Sequence, residues 1–275
     1  MNFWDKDIEK KFFRDSLKIS SLEKIFYKIN EKYLAYIPKK VNFHSTLQSR
    51  NALIGNFTEK WVKDFLTPIA KENNLYCING VICEELGLNN KTPADIAFCK
   101  TNEKIQKQEN IKAIFEVKMS IVNNYEYDNG KIKFIGDLTT HKGNPSLLRS
   151  DSVLKAIGKC VNIRLKNTKN FIPLFVLGNT YISKHYQKDV DLLKQRGIIQ
   201  GFINLYPSIT PCKILNTPFR GFLTFFKYEE LKSYLINFLN KDIVYISKAI
   251  SKNKLKSLIK VDVERFLSLL KEIDD

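Results

Sequence analysis

The chain has 275 residues, 44% of them hydrophobic, and carries 45 Lys and Arg against 29 Asp and Glu, for a formal net charge of +16. That apolar share excludes a chain too polar to bury a core, and the length suits one large domain or two modest ones. The basic residues run along the whole sequence rather than forming a tail, which favours a polyanionic partner. The abundance of Lys, Ile and Asn also fits an AT-rich coding bias, so charge alone leaves the partner open.

No apolar segment is long enough to span a bilayer, and no basic start leads into an apolar run with a small-residue cleavage site. The expected location is the cytoplasm. Cys77, Cys83, Cys99, Cys160 and Cys212 form no C-x-x-C pair and have no zinc-like spacing with the three histidines, so reduced thiols are expected.

In residues 1 to 40, Phe12, Phe13 and Leu17, then Leu22, Ile25, Phe26, Ile29, Tyr33 and Leu34, predict two helices with a break near Ser20-Ser21. Between Thr46 and Leu66, Leu53, Ile54, Phe57, Trp61, Val62, Phe65 and Leu66 share a helical face, with Pro68 marking its end. Glu59 lies at the border of that face. Leu75 to Ile82 reads as a strand. Pro93 suits the first position of a further strand, on which Ala94, Ile96 and Phe98 face one way and Asp95 the other.

After a polar spacer comes the most informative stretch, Ile111 to Val122. Ala113, Phe115, Val117, Met119 and Ile121 form an apolar strand face, and Ile114, Glu116, Lys118 and Ser120 form the reverse. A carboxylate and an ammonium beside a core are seldom found unless paired or bound to something. An antiparallel hairpin would bring Asp95 level with Glu116 and Lys118.

Pro93 and Asp95, followed after a hairpin-sized gap by Glu116-Val117-Lys118, resemble the signature of the PD-(D/E)XK nucleases. The resemblance covers roughly residues 50 to 210, and it departs from the pattern where Ala94 separates the proline from the aspartate. It implies an α/β restriction-endonuclease-like core, a central mixed sheet flanked by helices. It also implies a Mg²⁺ site made by Asp95, Glu116 and the carbonyl of Val117, because Mg²⁺ takes oxygen ligands and keeps several waters. Lys118 would orient the attacking water and steady developing charge. Glu59, on the preceding helix, would support the site.

Residues 123 to 150 form an insertion. It opens as a hairpin from Asn123 to Phe134 with Asn129-Gly130 as its turn, followed by a loop from His141 to Ser150. Lys142, Asn144, Arg149 and Ser150 are candidate DNA contacts, being polar groups on a loop that leaves a catalytic strand. A helix from Val153 to Leu165 follows, with Ser150-Asp151-Ser152 as N-cap. Its expected buried face is Val153, Leu154, Ile157, Val161 and Leu165, and its basic stripe of Lys155, Lys159 and Lys166 is expected to meet phosphates, Lys155 and Lys159 first.

Phe171 to Leu177 and Ile198 to Leu205 read as strands, with a polar helix from Ser183 to Arg196 between them. Pro207 to Pro218 reads as a linker. Helices are predicted at Tyr228 to Leu239, Ile243 to Ile259 and Val261 to Ile273, with a basic middle at Lys248, Lys252, Lys254, Lys256 and Lys260. The expected organisation is a helical region at 1–45, a nuclease core at 46–210 with 123–150 inserted, and a helical region at 211–275.

The resemblance implies a Mg²⁺-dependent type II restriction endonuclease acting on double-stranded DNA as a homodimer. The alternatives are a structure-specific repair or recombination nuclease of the same fold, and a basic DNA-binding protein without catalysis.

Overall fold

Near-continuous burial along a strand rich in Ile, Phe and Val marks a pleated element covered on both faces, and Ile111–Lys118 (β5) is one. The protein is described by a computed structural model over residues 1–42, 46–167 and 171–239 together with Ser268. β5 lies within a six-stranded mixed sheet. On one side it pairs antiparallel with Ala94–Cys99 (β4), which pairs antiparallel with Tyr76–Val81 (β3). On the other it pairs parallel with Leu174–Gly178 (β8), followed by Gly201–Asn204 (β9) and Phe222–Thr224 (β10), also parallel. The strand order is β10-β9-β8-β5-β4-β3. The register sets Ile96 opposite Phe115 and Glu116 opposite Val176, which leaves Asp95 beside the Glu116–Val117 peptide.

Helices flank this α/β sheet. Gln48–Glu72 (α3) packs on β3, β4 and β5 through residues that include Ile54, Val62, Phe65, Leu66 and Ile69. The helix runs through Pro68 rather than stopping there. The missing N–H costs one bond of the ladder, but Phe65, Leu66, Ile69 and Ala70 are buried on both sides of the proline, and Thr67 Oγ1 donates to the Lys63 carbonyl at 2.7 Å. Ser150–Lys166 (α4) packs on β5. Its buried face is Val153, Ala156, Cys160 and Ile163, whereas Leu154 and Leu165 are exposed, so the helix is rotated from the predicted phase. Small Ala156 and Cys160 let the helix sit close to the sheet, and that rotation half-buries Lys159. Gln187–Gln195 (α5) packs on β9 and β10.

The N-terminal segment differs from the prediction of two helices. Lys6–Leu17 (α1) is a full helix, capped by the Asp5 side chain, but Leu22–Ile25 (α2) is a single turn, and Tyr27–Ile29 (β1) and Lys32–Leu34 (β2) form a hairpin. Tyr27, Ile29, Tyr33 and Leu34 are β-formers that supported either periodicity. The Asn129-Gly130 hairpin forms as expected between Asn124–Asp128 (β6) and Lys131–Gly136 (β7), both turn residues having positive φ. β2 pairs with β6, so the two hairpins merge into a four-stranded sheet, β1-β2-β6-β7.

The stretch 207–218 has no regular element, and β10 after it extends the central sheet beyond the expected edge of the core at residue 210. Tyr228–Leu239 (α6) is helical as predicted. The described residues up to Leu239 belong to one compact unit. The predicted helices at Ile243 to Ile259 and Val261 to Ile273, with Lys248, Lys252, Lys254, Lys256 and Lys260, lie outside the described residues. Among the described residues no helix is long and apolar enough to cross a membrane.

Candidate active site

Asp95 is the second residue of β4, and Glu116 and Lys118 lie in the last three positions of β5, on strands whose other side chains apart from Lys112 are core. The register therefore delivers three charged groups to one edge. Asp95 Oδ2 accepts from the Val117 N–H at 2.7 Å, and Lys118 Nζ lies 2.5 Å from Glu116 Oε1 and 3.3 Å from the Val117 carbonyl. Lys118 Nζ is also 3.8 Å from Asp95 Oδ2. Both polar groups of the Val117 peptide thus face this cluster.

A fourth member comes from α4. Lys159 Nζ bridges the two acids, 2.8 Å from Asp95 Oδ1 and 2.6 Å from Glu116 Oε2. Glu116 is only 3% exposed. Burial pushes its carboxyl upward, the charge of Asp95 adds to that, and Lys118 and Lys159 oppose both. Burial would depress the Lys159 ammonium, but the Glu116 and Asp95 carboxylates outweigh it and raise it. Lys159 was expected to contact phosphates on an outer stripe; it instead sits among the acids.

Glu59 reaches the cluster indirectly. Asn79 on β3 donates to Glu59 Oε2 and to the Asp95 carbonyl, both at 2.9 Å, and so ties α3 to the start of β4. Burial raises the Glu59 carboxyl, the Asn79 hydrogen bond lowers it, and nearby Asp95 raises it. Asn79 carries no signal in a single sequence, since any polar residue at a strand's border looks alike.

No protein-family model, curated protein or solved structure matches this chain.

What the site can hold follows from its own atoms. Among the described residues no three His, Cys, Asp or Glu side chains gather around a common point. The candidate ligands are two carboxylates and a backbone carbonyl, hard oxygens of the kind Mg²⁺ takes alongside water. Glu116 Oε2 is buried and accepts no aligned hydrogen bond, although Lys159 Nζ lies close by. A buried acceptor left in that state, with ammonium groups drawn to the oxygens, marks a place that favours positive charge. The residues therefore fit a divalent cation.

Lys118 also lines a groove of about 700 Å³ with Val117, Arg50, Asn51, Tyr36, Lys142, Asn144, Arg149 and Ser152. Lys142, Asn144 and Arg149 are exposed and line the same groove as Val117 and Lys118 of β5. Ser150 and Lys155 are exposed on the first turns of α4 and do not line it, and Lys155 pairs with Asp151 at 3.1 Å.

The loop bearing Lys142 and Asn144 is fastened at both ends. At its start, His141 is 1% exposed, stacks on Tyr36 with ring centroids 4.0 Å apart, and contacts the Val122 carbonyl through Nε2 at 2.9 Å. Its Nδ1 accepts from the Gly143 N–H at 3.1 Å, which fixes the neutral tautomer with the proton on Nε2. Burial holds this imidazole below its usual range, so it is not one of the loop's cations. At the far end Ser146, with φ +52°, donates to the Lys118 carbonyl at 2.6 Å and accepts from the Asn179 N–H at 2.9 Å. Asn179 in turn holds the Ser120 peptide through both ends of its amide. The loop is thus stapled to the ends of β5 and β8.

Proposed function

We propose that this protein is a Mg²⁺-dependent endonuclease of the PD-(D/E)XK type that hydrolyses double-stranded DNA at a short specific sequence, in the manner of a type II restriction endonuclease. The observation that carries the reading is the convergence of Asp95, Glu116, the Val117 carbonyl and Lys118 near the ends of two paired strands, where Val117 and Lys118 line a groove that also holds Lys142 and Arg149. The mixed sheet flanked by helices is compatible with a restriction-endonuclease-like core.

In this reading Asp95, Glu116 and the Val117 carbonyl hold the cation. Bound Mg²⁺ supplies positive charge against the developing phosphorane and makes water more nucleophilic. Lys118 orients that water and steadies the negative charge as it builds. Glu59 and Asn79 keep Asp95 in place. Lys142, Asn144 and Arg149 contact the duplex, since a paired-donor guanidinium and a carboxamide suit phosphates and base edges. A palindromic target would call for a homodimer, because a two-fold site mirrors a two-fold protein. Free cysteines, four of them buried, suit a reducing compartment such as the cytoplasm, where the enzyme would meet DNA.

Digestion of a randomised duplex library with Mg²⁺, followed by sequencing of the product ends, tests the proposal. Ends that share one short sequence support a restriction enzyme. Cutting confined to forks, flaps or junctions points to a repair or recombination nuclease. Intact DNA in Mg²⁺ or Mn²⁺ leaves a DNA-binding protein and contradicts the proposal.

A further inference from the structure

The sequence places Lys159 with the basic residues of α4, yet its ammonium bridges the two acids assigned to the metal. Asp95 Oδ1 lies at 2.8 Å and Glu116 Oε2 at 2.6 Å, and only 21% of the Lys159 side chain is exposed. Lys118 does different work. It reaches the other Glu116 oxygen, Oε1, and the Val117 carbonyl, from within the same strand. The two lysines together balance the charges of Asp95 and Glu116, one ammonium for each carboxylate.

A dication added to that balanced set would meet an ammonium already sitting on both of the carboxylates that would hold it. At separations of a few ångströms, like charges in a partly buried site repel strongly, because little water lies between them to screen the interaction. Lys159 is the one placed to leave. It reaches the acids on a flexible four-carbon stem from a separate element, α4, and bridges both, whereas Lys118, equally exposed, is held to Glu116 Oε1 and the Val117 carbonyl from within the same strand.

On these grounds we infer that Lys159 is a resident counter-cation that holds the Asp95–Glu116 pair together without metal and must vacate it for a divalent ion to bind. Lys159 thereby sets the metal concentration at which the site fills. It is a positioning residue that acts through the two carboxylates. Metal uptake by the free protein is weakened by this competition. The inference rests on the metal site of the nuclease reading.

The test is Mn²⁺ binding by the intact protein without DNA, read as free Mn²⁺ by electron paramagnetic resonance. The variants are Lys159→Gln, Lys159→Met, Lys159→Arg and Glu116→Gln, each checked for folding by thermal melting. Loss of the competing charge in Lys159→Gln, or in Lys159→Met should the first not fold, is expected to tighten Mn²⁺ binding roughly tenfold or more. Lys159→Arg keeps the charge and is expected to bind no more tightly than wild type, and Glu116→Gln is expected to lose binding. Equal or weaker Mn²⁺ binding in both neutral variants overturns the inference while leaving the metal site standing. If neither wild type nor any variant takes up Mn²⁺, both the inference and the nuclease reading fall.

Discussion

Glu116 has almost no contact with solvent, and two ammonium groups and a neighbouring aspartate decide its state. Burial and the charge of Asp95 push its carboxyl up, and the two lysines oppose that shift. His141 shows the opposite outcome. It is buried without an acidic partner in contact, and it stays neutral because its two ring nitrogens meet one carbonyl and one N–H. Its folded-state pKa lies below the ordinary value of 6.5. The unfolded chain therefore binds the proton first as pH falls, and the stability His141 contributes is present above pH 6.5 and is lost progressively below it. Urea midpoints measured from pH 7.5 down to pH 5 are expected to fall across that window, and Lys or Asp surface changes are not expected to alter the drop, whereas His141→Gln should flatten it. An unchanged slope in His141→Gln would contradict the neutral, buried assignment.

At the scale of elements, the signature strands were legible because each apolar reverse fixed which way Asp95, Glu116 and Lys118 point. The rotation of α4 was not. Its sequence carries two apolar stripes, Val153-Ala156-Cys160-Ile163 and Leu154-Ile157-Val161-Leu165, and the sequence reading puts the bulkier stripe inside together with Val153, the one member of that expected face that is fully buried. Close approach to β5 selects the stripe with the smaller residues, which is a property of the partner surface and not of the helix. The same limit hid Ser146, whose positive φ is forced by its bonds to the Lys118 carbonyl and the Asn179 N–H. Because the loop it closes is fastened at both ends, Lys142 and Arg149 are held on the groove. Replacing either by Ala is expected to weaken duplex binding across sequences and to lower the slope of log affinity against log salt by about 1. Lys155→Ala, off the groove, is expected to change it less. Fluorescence anisotropy between low and moderate salt checks both, and an equal effect of all three would show that the groove is not the duplex path.

At the scale of the whole molecule, the N-terminal region reads from sequence as an ancillary helical block, yet Glu9 of α1 is wholly buried against the segment that follows β5. It accepts from Trp4 Nε1, the Val122 and Asn123 backbone N–H groups, Asn123 Nδ2 and Tyr125 OH. Burial raises this carboxyl and the donors oppose it. Apart from Trp4, these partners lie more than a hundred residues away in sequence and leave no local pattern to read. Removing the acceptor strands several buried donors, so Glu9→Ala is expected to cost about 3–5 kcal/mol by urea denaturation, with Glu9→Gln intermediate. A loss under about 1 kcal/mol would make α1 separable from the core.

The most direct trial of the central claim is relaxation of supercoiled plasmid by purified protein in Mg²⁺, comparing wild type with Lys118→Ala and Asp95→Asn variants whose melting profiles match wild type. Wild type is expected to nick and linearise the plasmid and to stop on addition of EDTA, and each substitution is expected to slow the cut by about 10²-fold to 10⁴-fold. Cutting that survives EDTA, or that proceeds at the wild-type rate in both variants, would contradict the assignment of catalysis to this edge of the sheet.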